Sequence, residues 1–496
     1  MNQLLRTKSI DALIASAEDP GRRLSKSLGV WSLIGLGIGS VIGSGIFTLT
    51  GTAAAGLTFD FHSILNAPVL DLMLHGGHAV STAGRPGAGP AISVSFVLVA
   101  FACSFAGLCY AELASMIPVA GSAYTYSYAT LGEIFAWIIG WDLILEYAVS
   151  NMAVAVGFAA YCNDILDNLF GFHLPAKLAQ PVFVNGRISG SWFNLPALVV
   201  LLALSWLLVR GVKEGAGANN VMVLIKLAAI VLFIFGAAGA IKTENWHPFF
   251  PNGFSGVLTG GAIVFFAYIG FDSVSTAAEE CRSPQRDMPT GILASLVICA
   301  VLYASVALVL TGIANFKTLN NDAPVANALK ALGYSRLRLI VSAGALLGML
   351  SSLLVFQYGQ ARIWFAMSRD RLLPDLFSRV HPVYKTPHIS TWIAGLVVGI
   401  PAGIWDIGTF ADLTNIGTLF AFILVAAGVI VLRRRQPGRV RGFRAPWVPV
   451  LPALSIICCL VLMLSLPLET WIRFFAWLLI GLAIYFGFGK KRSELA

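Results

Sequence analysis

Long apolar runs separated by short polar clusters set the pattern of the whole chain. A helix needs about 20 apolar residues to cross a bilayer. Runs that meet this requirement fall at 30–53, 91–111, 134–162, 193–210, 219–241, 256–278, 289–313, 338–367, 389–404, 411–432, 447–466 and 470–488. They predict an all-α membrane protein of twelve spans, and an even number puts both ends of the chain on one side. Span 1 and span 6 carry interruptions. Span 1 reads Gly35-Leu36-Gly37-Ile38-Gly39-Ser40-Val41-Ile42-Gly43-Ser44-Gly45-Ile46-Phe47, and span 6 reads Phe265-Phe266-Ala267-Tyr268-Ile269-Gly270-Phe271-Asp272. Gly35, Gly39 and Gly43 also form a small-residue row suited to helix packing. The triplet Gly43-Ser44-Gly45 goes further, because each mid-helix glycine costs about 1 kcal/mol relative to alanine. Glycine-interrupted spans at matching places in two halves point to an inverted repeat with a site near the bilayer midplane.

Composition agrees with the pattern. The 496 residues are 57% hydrophobic and 11% charged, with mean hydropathy +0.80, whereas a soluble chain carries about 25% charged residues. An interior that apolar needs an apolar solvent outside it, and helices cross that solvent with every backbone group satisfied. The net charge of +9 would suit nucleic acid if it formed one basic face. Instead the basic residues cluster between apolar runs, as in loops that face anionic headgroups, and no nucleic-acid partner is expected. With the N-terminus inside, 22 Lys and Arg fall on the inner side and 9 on the outer, with Lys226 and Arg362 inside spans. Both termini are therefore expected in the cytoplasm.

Met1 to Ser27 lack an apolar stretch, so span 1 itself is expected to direct insertion. The seven cysteines show no metal-ligand spacing, and each reads as a small hydrophobe. No HExxH, Walker loop or nucleophile elbow is present in the sequence, which argues against an enzyme. No metal and no cofactor are expected; a proton gradient would be the energy source.

The interrupted spans suggest a chemistry. An amino acid zwitterion brings a carboxylate and an ammonium, and full ionic partners are expensive to bury unoccupied. Where span 1 restarts, amides around Ile42, Gly43, Ser44 and Gly45, backed by the positive end of a helix dipole, make an anion site. Where span 6 breaks, carbonyls of Phe266, Ala267 and Ile269 are placed to accept from an ammonium. Phe266 and Phe271 flank that break and either close over a substrate or serve as packing.

On these motifs the chain resembles the amino acid–polyamine–organocation superfamily, in its cationic amino acid transporter-like branch. Further motifs carrying the likeness are Pro118-Val119-Ala120-Gly121-Ser122-Ala123-Tyr124, Gly140-Trp141-Asp142-Leu143-Ile144-Leu145-Glu146-Tyr147 and the run from Glu279 to Pro289. The resemblance implies a 5+5 inverted repeat of the leucine-transporter type and alternating access. On that reading 1–29 is a cytoplasmic segment, 30–241 the first repeat, 242–432 the second, 433–489 two extra helices and 490–496 a cytoplasmic tail.

It also bears on two ionisable groups inside spans. Lys226 reads from the residues alone as a snorkelling side chain or as a buried ammonium between the halves, since desolvated lysines can exchange protons. The resemblance implies the second, with proton coupling. Glu146, mid-span, is either a paired carboxylate in a polar crevice or a group that tunes proton or substrate binding. Ser352 and Phe356 share one face of span 8. If that face lines the site, as the family's does, Phe356 fills the room a guanidinium side chain would need.

The expected function is proton-coupled import of neutral, small to medium amino acids across a bacterial inner membrane. The alternatives are an amino acid exchanger and a nutrient receptor that does not transport. The partners are the amino acid and the lipid bilayer, with a small single-span membrane protein or a sterol or other lipid left open. Glu112, Tyr124, Glu279, Glu280 and Arg286 are either inward-gate partners or solvated loop charges. Residues 57–90, with His62, His75 and His78, form a lengthened external connection of unassigned role that caps the vestibule or meets a partner. His75 and His78 are weak metal ligands in such a loop.

Overall fold

The computed structural model describes residues 5–18, 28–58, 64–75, 84–119, 122–184, 187–210, 215–384 and 386–492. The chain opens with a short helix α1 (Ile10–Glu18) and the bent pair α2 (Val30–Val41) and α3 (Gly45–Ala55). There follow α4 (Ile92–Met116), α5 (Ser122–Thr130), α6 (Glu133–Phe170), α7 (Leu195–Arg210), α8 (Gly215–Ala238) and α9 (Gly253–Val264). The main later helices are α10 (Pro284–Ile313), α11 (Ser335–Arg369), α12 (His388–Ala402), α13 (Ile407–Arg435), α14 (Val450–Leu464) and α15 (Leu468–Ile484). Among the described residues, eight helical stretches are long and apolar enough to cross a bilayer, and the bent pair α2–α3 makes a ninth. Three shorter apolar helices are α7, α12 and α14. Strand is confined to two small antiparallel ribbons among the described residues. One of them pairs β1 (Gly56–Thr58) with β2 (Gly84–Pro86).

Apolar side chains face outward in numbers that water would not tolerate. Leu224, Phe235, Val301 and Leu479 are all more than half exposed, as expected of helices whose surroundings are hydrocarbon. The opposite case is α6. Its 38 residues rise 1.5 Å each, enough to run through the molecule from end to end, and its apolar window is 89% buried. It is the central pillar.

Around that pillar the helices sort into two groups. α6, α7, α11 and α12 pack on one another as a frame. Gln357 of α11 helps to lock it, donating to Ser205 Oγ of α7 at 3.0 Å and lying 3.0 Å from the Asn151 amide of α6. The second group is α2, α4, α10 and the segment after α9, and α8 touches both groups. The two interrupted helices lie along the boundary.

Each end of the molecule is tied by buried ions. Asp164 and Asp167 near the end of α6 accept from Arg338 of α11, and Ser342 Oγ donates to Asp164 Oδ2 at 2.6 Å. At the other end, Glu112 of α4 accepts from Arg433 Nε (2.8 Å), Arg433 Nη2 (2.7 Å), Arg441 Nε (3.2 Å) and the Ala445 amide (2.8 Å). This end also carries the first described segment and the end of α15, because Glu133 meets both. Its amide donates to Arg6 O (3.1 Å) and its carboxylate accepts from Tyr485 (2.7 Å). Removing one partner from a buried charge cluster costs about 3–5 kcal/mol. Glu112→Ala should therefore lower the thermal unfolding midpoint by roughly 3–5 °C while leaving the KM of the expected transport unchanged. A large KM change with an intact midpoint would show that Glu112 acts in transport itself.

Candidate functional site

Span 1, called helix 1 below and made of α2 and α3, breaks where the glycines are. α2 ends at Val41, Ile42 is extended (φ −79°, ψ 93°), and the chain resumes as a π-wound turn over Gly45–Leu49 that continues as α-helix to Ala55. The two halves are bent by 43°. Span 6, called helix 6 below and made of α9 and the segment after it, breaks in the same region. α9 runs into a 3₁₀ turn over Phe265–Tyr268, Ile269 is extended, and Gly270 sits at φ 113°, a conformation that side chains resist. A second 3₁₀ segment carries Phe271–Glu280.

The breaks meet each other. A Cβ added at Gly45 would lie 2.5 Å from Ala267 Cα, and one added at Gly270 would lie 3.0 Å from the Ser40 backbone. Gly45 is thus required for contact between the interrupted segments as well as for loosening the helix.

Broken helices release carbonyls, and buried ones need donors. Tyr303 Oη of α10 lies 2.9 Å from both Val41 O and Ala267 O, so its single hydroxyl hydrogen is shared between the two breaks. Lys226 Nζ of α8 donates to Gly39 O (2.6 Å) and Ile42 O (2.8 Å). The lysine is fully buried, and Gly348 of α11 packs on its aliphatic stem. Its two hydrogen bonds both end on helix 1, not at the membrane surface, so it does not snorkel. One ammonium therefore ties α8 to the break while its stem touches the frame.

Other acceptors are partly occupied. Phe266 O takes the Ile269 amide at 3.3 Å, and Ala267 O, holding Tyr303, keeps one lone pair for another donor. On the amide side, Gly43 to Gly45 head α3, where helical N–H groups lack intrahelical acceptors. Next to them the hydroxyls of Ser44 and Thr48, and that of Ser150 on α6, are buried without a hydrogen-bond partner among the described residues. A Cβ at Gly157 of α6 would lie 3.1 Å from Ser44 Cβ and 3.2 Å from Thr48 Oγ1, so that glycine opens the pillar toward the break. Unpaired hydroxyls in a dry interior are costly unless a polar guest supplies partners.

Ser352 of α11 adjoins the break, with Oγ 3.4 Å from Ile42 O. Phe356, one turn on, is buried and meets Tyr147 of α6 edge to face at 5.7 Å. Phe266 is buried at the break. Phe271 is packed between Tyr110 and Phe422, at 6.0 and 5.0 Å.

Glu146 lies in a buried acidic neighbourhood, interacting electrostatically with Asp142 one turn away and with Asp272 after the helix 6 break. Neither carboxylate oxygen of Asp142 has a hydrogen-bond partner among the described residues. The i, i+4 spacing of Asp142 and Glu146 was the signal that joins them in the sequence; Tyr303 gave no such signal. Of the residues read as inward-gate partners, Tyr124 donates to Asp370 Oδ2 at 2.6 Å, and Lys8 reaches Asp370 Oδ1 at 3.2 Å. Glu112 is held in the clamp described above, and Arg286 is exposed. The side chains of Glu279, Glu280 and His75, and residues His62 and His78 altogether, lie outside the described residues. No cluster of three metal-ligating side chains occurs among the described residues.

Comparison with known proteins places this arrangement. A sequence model of an amino acid permease family matches residues 28–485. The chain is 48% identical over 414 residues to the branched-chain amino acid permease BcaP of Bacillus subtilis, covering 83% of this chain and 88% of that protein. It is 47% identical over 414 residues to a methylthioribose transporter of the same organism, covering 84% and 89%. It is 36% identical over 381 residues to cationic amino acid transporter 9, chloroplastic, of Arabidopsis thaliana, covering 75% and 66%.

Proposed function

The chain belongs to the amino acid permease family, and on that premise we propose that it imports neutral amino acids of small to medium size, branched-chain ones among them, together with protons. It is a multi-pass membrane transporter and not an enzyme. One observation carries the proposal: two helices are interrupted side by side, touch at Gly45 and Ala267, and share a buried ammonium and a tyrosine that hold their freed carbonyls.

The substrate carboxylate binds at the amides of Gly43, Ser44 and Gly45 with the Ser44 hydroxyl, and Ile42 flanks it. The ammonium takes the remaining lone pair of Ala267 O and the carbonyls of the helix 6 break, Phe266 and Ile269 among them. Phe266 and Phe271 pack around the break, and Ser352 and Phe356 bound the side-chain space. Coupling follows from Lys226. While charged, it holds helix 1 to α8; loss of its proton weakens both bonds to Gly39 and Ile42 and frees the inner half of helix 1, α2, to move. Glu146 and its acidic neighbours provide a second place for the proton on the way inward.

The arrangement is read as twelve spans, counting α7, α12, α14 and the bent pair, with 30–241 and 242–432 as inverted repeats. The bias of Lys and Arg, and the contact of both Arg6 and Tyr485 with Glu133, support cytoplasmic termini. The two bacterial relatives favour a plasma membrane.

Selectivity gives a test. Phe356→Ser removes bulk facing Tyr147, so arginine uptake should rise from background to a rate within about tenfold of leucine uptake. An unchanged substrate profile would remove Phe356 from the selectivity filter. The relative named as a methylthioribose transporter favours a second reading, in which that thiosugar is carried. Thermal-shift screening of purified protein against the standard amino acids and methylthioribose separates the two. Counterflow with and without a proton gradient separates symport from exchange.

A further inference from the structure

The lengthened connection after α3 returns to the molecule as β2, which pairs with β1 so that Arg85 stands opposite Leu57. From there the strap is fastened to the outer halves of both interrupted helices. The Ala88 amide donates to Ala53 O of α3 at 3.0 Å, and Asn252 Nδ2, at the start of α9, donates to Gly87 O at 2.8 Å. No Cβ fits at Gly87, where it would lie 2.4 Å from Ala54 O. The strap thus travels with helix 1 and helix 6.

Its side chain goes elsewhere. Arg85 Nη1 reaches across to Asp412 Oδ2 of α13 at 2.6 Å. The arginine side chain is 2% exposed and the aspartate 13%. The remaining guanidinium nitrogens, Nε and Nη2, are buried without a hydrogen-bond partner among the described residues. These two nitrogens form one edge of the guanidinium plane, the edge that takes both oxygens of a single carboxylate. A merely structural tether has no reason to bury that edge without a protein acceptor among the described residues. The open edge and the adjoining carboxylate are, respectively, the complements of an amino acid's carboxylate and its ammonium.

We propose that Arg85 and Asp412 form an outer subsite for the zwitterion, where an incoming amino acid parts the ion pair by binding the free edge of Arg85 with its carboxylate and Asp412 with its ammonium. Parting that pair uncouples the strap from α13 and releases the outer halves of both interrupted helices. The subsite lies at the end of α13 opposite the Glu112 clamp, ahead of the central site. This inference rests on the transport reading, since the opening it describes is a step of import.

The test uses the full chain in cells and, purified, in detergent. Arg85→Lys keeps the charge facing Asp412 but has no two-donor edge. Its external KM for leucine should rise by about tenfold or more. The maximal rate and equilibrium leucine binding by the purified protein should stay within about twofold, because the central site is untouched. Asp412→Asn, which alters no residue of the strap, should raise KM similarly and covers the case in which the Arg85 variant fails to reach the membrane. A KM change below about threefold in both variants overturns the subsite, as does a fall in maximal rate with KM unchanged, the mark of a structural tether. Absence of leucine uptake by the unaltered protein would instead overturn the transport reading.

Discussion

Replacing Lys226 by methionine should abolish gradient-driven accumulation while leaving the protein folded and able to equilibrate substrate. Moving one charge through 100 mV is worth about 2.3 kcal/mol, or about fiftyfold in concentration. That whole factor should vanish from leucine accumulation in energised proteoliposomes, because the variant has no proton to lose at the break. Methionine preserves the stem that packs under Gly348 and removes only the donor to Gly39 and Ile42. Counterflow of unlabelled for labelled leucine should persist. Undiminished accumulation by the variant would remove Lys226 from coupling and pass the role to the acidic group around Glu146.

Gly45→Ala is the second change with a large effect. The added carbon meets the Ala267 Cα at 2.5 Å and its Cβ at 2.7 Å, whereas carbons in contact stay about 3.5–4.0 Å apart. Neither neighbour is the far end of a flexible chain, so the two interrupted segments must separate by about an ångström. Overpacking of this kind costs about 1–3 kcal/mol. It also spreads the amides of one break from the carbonyls of the other, so leucine affinity should fall by roughly tenfold to a hundredfold. Gly239→Ala, at a position with nothing within 4 Å, is the control and should bind normally. Equal binding by both variants would mean that the contact between the breaks does not shape the site.

Much of this was legible in the chain because lipid imposes a local rule. Every span must be apolar and helical, so runs of the right length announce themselves, and Gly43-Ser44-Gly45 marks a break because helices avoid such triplets. The short helices are blurrier. Pro401 lies at the end of α12 and Pro449 precedes α14, so the apolar runs there outlast the helices. Lys226 stood out for a different reason, a charge in an apolar run. What it touches did not, since Gly39 and Ile42 are 187 and 184 residues away. The same distance in sequence hid the partners of Glu112, which lie 321 and 329 residues on, and the two carbonyls that Tyr303 joins. Arg85 was obscured further by its setting in a stretch without periodicity, where nothing local distinguishes a buried guanidinium from a solvated one.

The core physical statement is that peptide dipoles at the two breaks hold both charges of the substrate. Competition against radiolabelled leucine uptake tests it, with leucinamide lacking the carboxylate and 4-methylpentanoate lacking the ammonium. The expected result is that each competes at least roughly a hundredfold more weakly than leucine, since each forfeits charge-assisted hydrogen bonds inside a dry site. Leucinamide competing as well as leucine would contradict it, because the amides of Gly43 to Gly45 would then have no carboxylate to bind.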